Sequence, residues 1–202
     1  MVAADQLRCA RWRLNHPVRP PLSPHSHLAK IPRVTREEAE VAIFERFAEA
    51  YSRHYRSSLR VPIHRDKPDF AANDLSTGQL LGVEVTGVYQ DAREAEINYW
   101  LEGEWGTIVG NAEGLIAHIN RALAEKAEKA REYEPIGPFI LAIWVGSFIF
   151  HSSADARHLA RHLVIPANPY SLIALVITDD AGDAPDLYLL QELPGWRVPG
   201  AA

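Results

Sequence analysis

Seven consecutive apolar residues, Phe139 to Val145, constrain the fold of this chain more than any other segment. Even the longer apolar stretch from Pro138 to Phe150, which a Gly-Ser pair interrupts, is too short to cross a bilayer as a helix. A strand without a polar face has to be covered on both sides, as the central strands of parallel sheets are. The run therefore predicts a buried central strand in a layered fold.

Hydrophobic periodicity predicts further helices and strands on both sides of this strand. Thr35 and Glu38 form a capping box at the start of the first helix. Pro62 indicates that the first strand lies at a sheet edge, and Ser76-Thr77-Gly78 is typical of a tight turn. The predicted elements are a helix over 36–56, strands over 59–64, 69–74 and 79–89, a helix over 114–133, a strand over 139–145, a helix over 153–164, and strands over 171–178 and 186–192. This order, α-β-β-β-α-β-α-β-β, predicts an α/β (α+β) fold with a mixed central sheet flanked by helices.

Composition excludes several other classes of protein. The chain has 202 residues, 47% of them hydrophobic, which is enough for one domain with its own core. Cys9 is the only cysteine, which rules out a disulfide framework and a multi-cysteine zinc or iron–sulfur site. Because we find neither a signal peptide nor a membrane span in the sequence, we expect a soluble, cytoplasmic protein that does not engage membranes.

Charge divides the chain unevenly. Residues 1–36 carry a net charge of +6 and residues 37–202 a net charge of −11, and four prolines lie among the first 30 residues. This composition predicts a basic, Pro-rich, irregular arm over 1–34, followed by a single domain over 35–202. A basic arm favours contact with nucleic acid, although a solvated extension is the simpler interpretation. The acidic body argues against broad electrostatic coating of DNA.

Two carboxylates on neighbouring strands carry the functional argument. Asp69 follows Pro68, and Glu84 lies fifteen residues later. Strand alternation places Glu84 and Thr86 on one sheet face, and the predicted turn folds the Asp69 strand back beside them. Two carboxylates so close together repel each other unless a cation lies between them. The pattern predicts an oxygen-ligand site for Mg²⁺ or Mn²⁺, which can activate water and neutralise the charge of a phosphodiester.

With these residues in place, residues 36–146 resemble the PD-(D/E)XK nuclease superfamily, whose α-β-β-β-α-β core carries Pro-Asp and then Asp/Glu-x-Lys on the next strand. The resemblance implies a restriction-endonuclease-like core in which Asp69 and Glu84 are catalytic metal ligands and the carbonyl of Val85 is another ligand. It implies metal-dependent phosphodiester hydrolysis of nucleic acid, with DNA favoured over RNA. Because many nucleases of this fold cut as dimers, it also raises the expectation of a homodimer.

The family often adds a metal ligand from the first helix, and here Glu37, Glu38, Glu40 and Glu45 compete for that role. On a helical wheel, Glu37 and Glu40 lie within about 40° of the centre of the apolar stripe. Glu40 also precedes apolar residues at i+3, i+4 and i+7, as the helix-one glutamate does in the resolvases of the family. We therefore predict Glu40 as the ligand and Glu37 as the second choice. The alternative is that these acids only favour a helix N-terminus.

Thr86 departs from the family pattern, because a neutral side chain stands where the lysine that orients or activates water is expected. Some members move this lysine to the neighbouring helix. In the predicted 114–133 helix, Lys126 lies within about 20° of Leu115 in the apolar stripe, and Lys129 lies within about 40°. We predict Lys126 as the catalytic lysine, with Thr86 and Lys129 in contact with the substrate. The alternative is that both lysines pack their stems on the core and extend their ammonium groups into water.

Two other interpretations remain open. A catalytically silent member of the same fold would act as a nucleic-acid or protein binding module; Thr86 and the acidic body favour it, whereas the retained acids favour an enzyme. The other is an unrelated α/β protein with a chance Pro-Asp, which would be indicated if Asp69 and Glu84 faced opposite sides of the sheet. His158 and His162 have the spacing of a metal pair, but a solvated helix face explains them more simply.

Overall fold

A computed structural model of the chain describes residues 35–89, 112–147, 150–179 and 184–197, except for the side chains of residues 61 and 62. These ranges belong to the second of the two units into which the chain divides, Arg33–Ala202. The predicted arm over 1–34 lies outside the described residues.

The described residues form the predicted elements in the predicted order. These are α1 (Arg36–Tyr55), β1 (Leu59–His64), β2 (Phe70–Asp74), β3 (Leu80–Val88), α2 (Ala112–Lys129) with a 3₁₀ turn (Ala130–Glu132), β4 (Phe139–Val145), α3 (Ser153–Ala160), β5 (Tyr170–Thr178) and β6 (Pro185–Glu192). The capping box of Thr35 and Glu38 starts α1 as predicted. None of the helices in these ranges is both long enough and apolar enough to cross a lipid bilayer.

The six strands form one mixed sheet in the order β1-β2-β3-β4-β5-β6. The pairs β1–β2, β2–β3 and β5–β6 are antiparallel, whereas β4 is parallel to both of its neighbours, β3 and β5. The apolar run that forms β4 is thus a central strand, as predicted. Strand β1 lies at a sheet edge, as the proline at position 62 predicts. The mixed α/β architecture is confirmed.

A hydrophobic core covers each face of the sheet. On one face, α1 packs Phe44 and Phe47 against Val83 and Val85 of β3. On the other face, α2 and α3 pack against alternate residues of β4 and β5; this core includes Leu115, Ile119, Leu123, Leu159, Leu141 and Ile143. Because side chains alternate along a strand, Glu84 points away from α1 and towards α2.

Two helices end earlier than their periodicity predicts. The α-helical part of α2 ends at Lys129 rather than at 133, because its last turn tightens into the 3₁₀ turn and Tyr133 is extended. The other, α3, ends at Ala160 rather than at 164. In both cases the apolar pattern continues past the helix: Tyr133 and Leu163 still pack against the core. Periodicity reports which side chains are buried, whereas the helix end depends on backbone hydrogen bonds.

Candidate functional site

The β2–β3 hairpin brings Asp69 and Glu84 together. Its turn closes with a hydrogen bond from the Gly78 amide to the Asp74 carbonyl, 2.7 Å long, and Phe70 pairs with Val83. The Asp69 amide lies 3.4 Å from Glu84 Oε2, and the Val85 amide donates to Asp69 Oδ2 at 2.9 Å. Both acids are buried. The two carboxylates therefore share one buried position at the start of β2.

Lys126 reaches the same position from α2. Its Nζ donates to Glu84 Oε1 at 2.5 Å and to the Val85 carbonyl at 3.3 Å. Only 14% of its side chain is exposed. Lys129, three residues later, is exposed, and Thr86 is half-buried. Of the two lysines on the predicted apolar stripe, the structure brings Lys126 to the acids.

The electrostatics of Asp69 reflect this crowding. Burial, followed by the negative charge of Glu84, raises the pKa of Asp69 to about 6. The ammonium of Lys126 and the amide of Val85 act in the opposite direction but do not offset the increase. A second cation beside the two acids would therefore be stabilised electrostatically.

Glu40 lies on the wall of a neighbouring cavity. It accepts a hydrogen bond from Arg36 Nε at 2.6 Å and lies 3.2 Å from His64 Nε2. The cavity has a volume of about 440 Å³ and is lined by Arg36, Glu37, Glu40, His64, Arg65, Asp66 and Asp69. Glu40 and Glu37 thus share a cavity with Asp69. Both glutamates also have His64 as a polar neighbour.

The donor atoms suit a hard divalent cation. The carboxylates of Asp69 and Glu84 and the carbonyl of Val85 are all oxygen donors, and Mg²⁺ commonly takes one or two carboxylates and keeps several waters. Within the described ranges, no group of three or more His, Cys, Asp or Glu side chains is arranged to hold a metal ion. Because Lys126 already bonds Glu84 and Val85, a cation would have to share these oxygens with its ammonium group. The residues fit a site of two carboxylates and one carbonyl with Lys126 beside it.

Sequence reasoning missed two tyrosines at this site. Burial and the negative charge of the neighbouring Glu84 raise the pKa of Tyr133, and the Tyr170 hydroxyl donates to the Lys126 carbonyl at 3.1 Å. Tyr133 follows Lys126 by seven residues, two helical turns, which is a signal that both approach the same part of the sheet. Nothing in the sequence around Tyr170 points to its contact.

The chain has also been compared with known proteins. No protein-family model, curated protein or solved structure matches it. The functional argument therefore rests on the site itself.

Proposed function

We propose that this chain is a metal-dependent nuclease of the PD-(D/E)XK type, which hydrolyses phosphodiester bonds in nucleic acid, DNA in preference to RNA. The observation that carries the proposal is the convergence of Asp69, Glu84, the Val85 carbonyl and Lys126. The order of α1, β1–β3, α2 and β4 is the order that a restriction-endonuclease-like core requires. That core is part of the proposal.

Each residue has a chemical role in this proposal. A Mg²⁺ or Mn²⁺ ion, when bound, supplies charge neutralisation for the phosphodiester and acidifies water. Asp69, Glu84 and the Val85 carbonyl would hold it. Lys126 supplies the positive charge that Thr86 lacks, and its ammonium group orients Glu84. The cavity that Glu40 lines beside Asp69 offers room for the phosphodiester.

Calorimetric titration with Mn²⁺ tests the metal site. We expect micromolar to sub-millimolar binding to the wild type and none to the double variant Asp69→Asn plus Glu84→Gln. A matched control, Glu45→Gln plus Glu49→Gln, removes two charges from the exposed side of α1 and should bind like the wild type. A folded wild type that binds no Mn²⁺, with or without an oligonucleotide present, would sink the proposal.

Lys126→Met separates catalysis from binding, and Lys129→Met is its exposed control. We expect Lys126→Met to retain Mn²⁺ binding while cleavage of single- and double-stranded oligonucleotides falls roughly 10²–10⁴-fold, the usual size of an acid–base contribution.

The alternative function, a silent binding module, is favoured by one observation: the ammonium of Lys126 already occupies the donor oxygens. A wild type that binds metal and oligonucleotide but cleaves no substrate would establish that alternative.

A further inference from the structure

Two tyrosine hydroxyls lie against the acids, and the proposed chemistry does not use them. Tyr133 follows the 3₁₀ turn after α2, and Tyr170 is the first residue of β5. Both are buried, Tyr170 completely. The Tyr170 hydroxyl donates to the Lys126 carbonyl, and Tyr133 lies close enough to Glu84 for the negative charge of that carboxylate to add to burial in raising the pKa of Tyr133.

Each tyrosine hydroxyl has one hydrogen to donate. That of Tyr170 is directed at the Lys126 carbonyl, 3.1 Å away. Burial and, next, the negative charge of Glu84 raise the pKa of Tyr133, so its hydroxyl lies beside that carboxylate. Hydrogen bonds to an ionised group are about twice as strong as neutral ones, which makes the carboxylate the preferred acceptor for Tyr133. The two hydroxyls therefore act on two parts of the site, Tyr133 on the Glu84 side chain and Tyr170 on the Lys126 backbone.

We propose that Tyr133 and Tyr170 are positioning residues that hold Glu84 and Lys126 in the geometry that the site needs. The inference rests on the proposed function, because it concerns the same site. Lys126 is held at both ends: its ammonium by Glu84 and its carbonyl by Tyr170. The Tyr133 ring is fixed in turn by an edge contact with Phe139, with ring centroids 5.8 Å apart. A rigid second layer of this kind orients the ligands and groups that contact a metal.

The variants Tyr133→Phe and Tyr170→Phe remove the hydroxyls and keep the rings. Tyr55→Phe is the matched control, because the Tyr55 hydroxyl also donates to a glutamate, Glu192, at 2.8 Å, but in another part of the molecule. We expect Mn²⁺ affinity, measured by calorimetry, to fall about 10–100-fold in Tyr133→Phe, the usual cost of losing a partner of a metal ligand. Tyr55→Phe should bind Mn²⁺ as the wild type does.

A second measurement uses the metal-free protein. An amine-specific reagent is applied, and the labelling rates of Lys126 and of exposed Lys129 are compared by mass spectrometry. We expect the ratio of the two rates to rise several-fold in Tyr133→Phe and Tyr170→Phe and to stay constant in Tyr55→Phe. Folded tyrosine variants with wild-type Mn²⁺ affinity and a wild-type labelling ratio would overturn the inference. If the wild type itself binds no Mn²⁺, the proposed function fails, and the labelling ratio alone decides whether the tyrosines position Lys126.

Discussion

Strand β2 has a buried aspartate at each end, and the two carboxylates lie in opposite electrostatic environments. Asp69 immediately precedes the strand, and Asp74 is its last residue. Their exposed fractions are 2% and 0%, so burial disfavours ionisation of both. What distinguishes them is the set of charges and hydrogen-bond donors around each carboxylate.

Asp74 is surrounded by donors. The Tyr51 hydroxyl, the Ser76 amide and Arg197 Nη2 donate to it at 2.8, 2.9 and 2.8 Å, and the Ser57 hydroxyl also donates to it. Burial raises the pKa of Asp74, but hydrogen bonds from Ser57, Arg197, Tyr51 and Ser76 outweigh it and hold the pKa well below its usual range. This carboxylate is a satisfied part of the fold.

Asp69 has a second acid as its neighbour instead. It accepts a hydrogen bond from the Val85 amide, but burial and the charge of Glu84 raise its pKa to about 6. The comparison teaches that burial alone does not identify a candidate functional carboxylate. The informative feature is a buried acid that the fold leaves short of positive charge, because a bound cation would relieve the repulsion at such a group.

The largest expected effect is on stability at the Asp74 end. Asp74→Ala leaves Arg197 beside a neutral site and removes the acceptor of several buried donors, so the free energy of unfolding should fall by about 3–5 kcal/mol. Asp69→Asn keeps an acceptor for the Val85 amide and relieves repulsion from Glu84, so it should leave stability at pH 7 unchanged or higher. Urea unfolding measures both. Equal losses in the two variants would mean that burial, and not the donor set, determines the loss, and that the two ends do not differ.

The next effect in size is the pH dependence at the Asp69 end in the absence of divalent cations. The folded pKa of about 6 lies above the unfolded value of about 3.9, so the folded state binds a proton more tightly. The contribution of Asp69 to the free energy of unfolding should therefore rise as the pH falls from 7 towards 4, by at most about 1.4 kcal/mol per pH unit. Asp69→Asn should lose this slope, whereas Asp74→Asn should keep it. Urea unfolding at several pH values gives the slope, and identical slopes in the wild type and Asp69→Asn would refute the assignment.

Much of the fold could be predicted because its elements depend on local pattern. The apolar run of β4, the capping box at Thr35 and the turn at Ser76 to Gly78 each specify structure through neighbouring residues. The proximity of Asp69 and Glu84 follows from the same hairpin. A short turn between two strands fixes which side chains face each other.

Other features depend on residues far apart in the chain, and no local pattern records them. Arg197 contacts Asp74 across 123 positions, and Tyr170 contacts Lys126 across 44. The helical wheel placed Lys126 and Lys129 near the same stripe, but a difference of three residues rotates the side chain enough to bury one and expose the other. Such contacts require the packed positions of the elements, which periodicity does not supply.

The smallest expected effect tests whether the two ends of β2 act independently. Gly78 adopts φ +72°, and among the residues that the structure describes, no atom other than those of Gly78 and its two chain neighbours lies within 4 Å of where its Cβ would be. Gly78→Ala should therefore lower the free energy of unfolding only by the cost of the left-handed conformation, about 1–2 kcal/mol. Gly78→Asn should cost less, because asparagine tolerates that conformation. Since the turn closes on Asp74, we expect both variants to keep the wild-type pH slope and Mn²⁺ affinity. A changed slope would mean that the hairpin turn also sets the separation of Asp69 and Glu84, and the two ends would then have to be treated as one coupled unit.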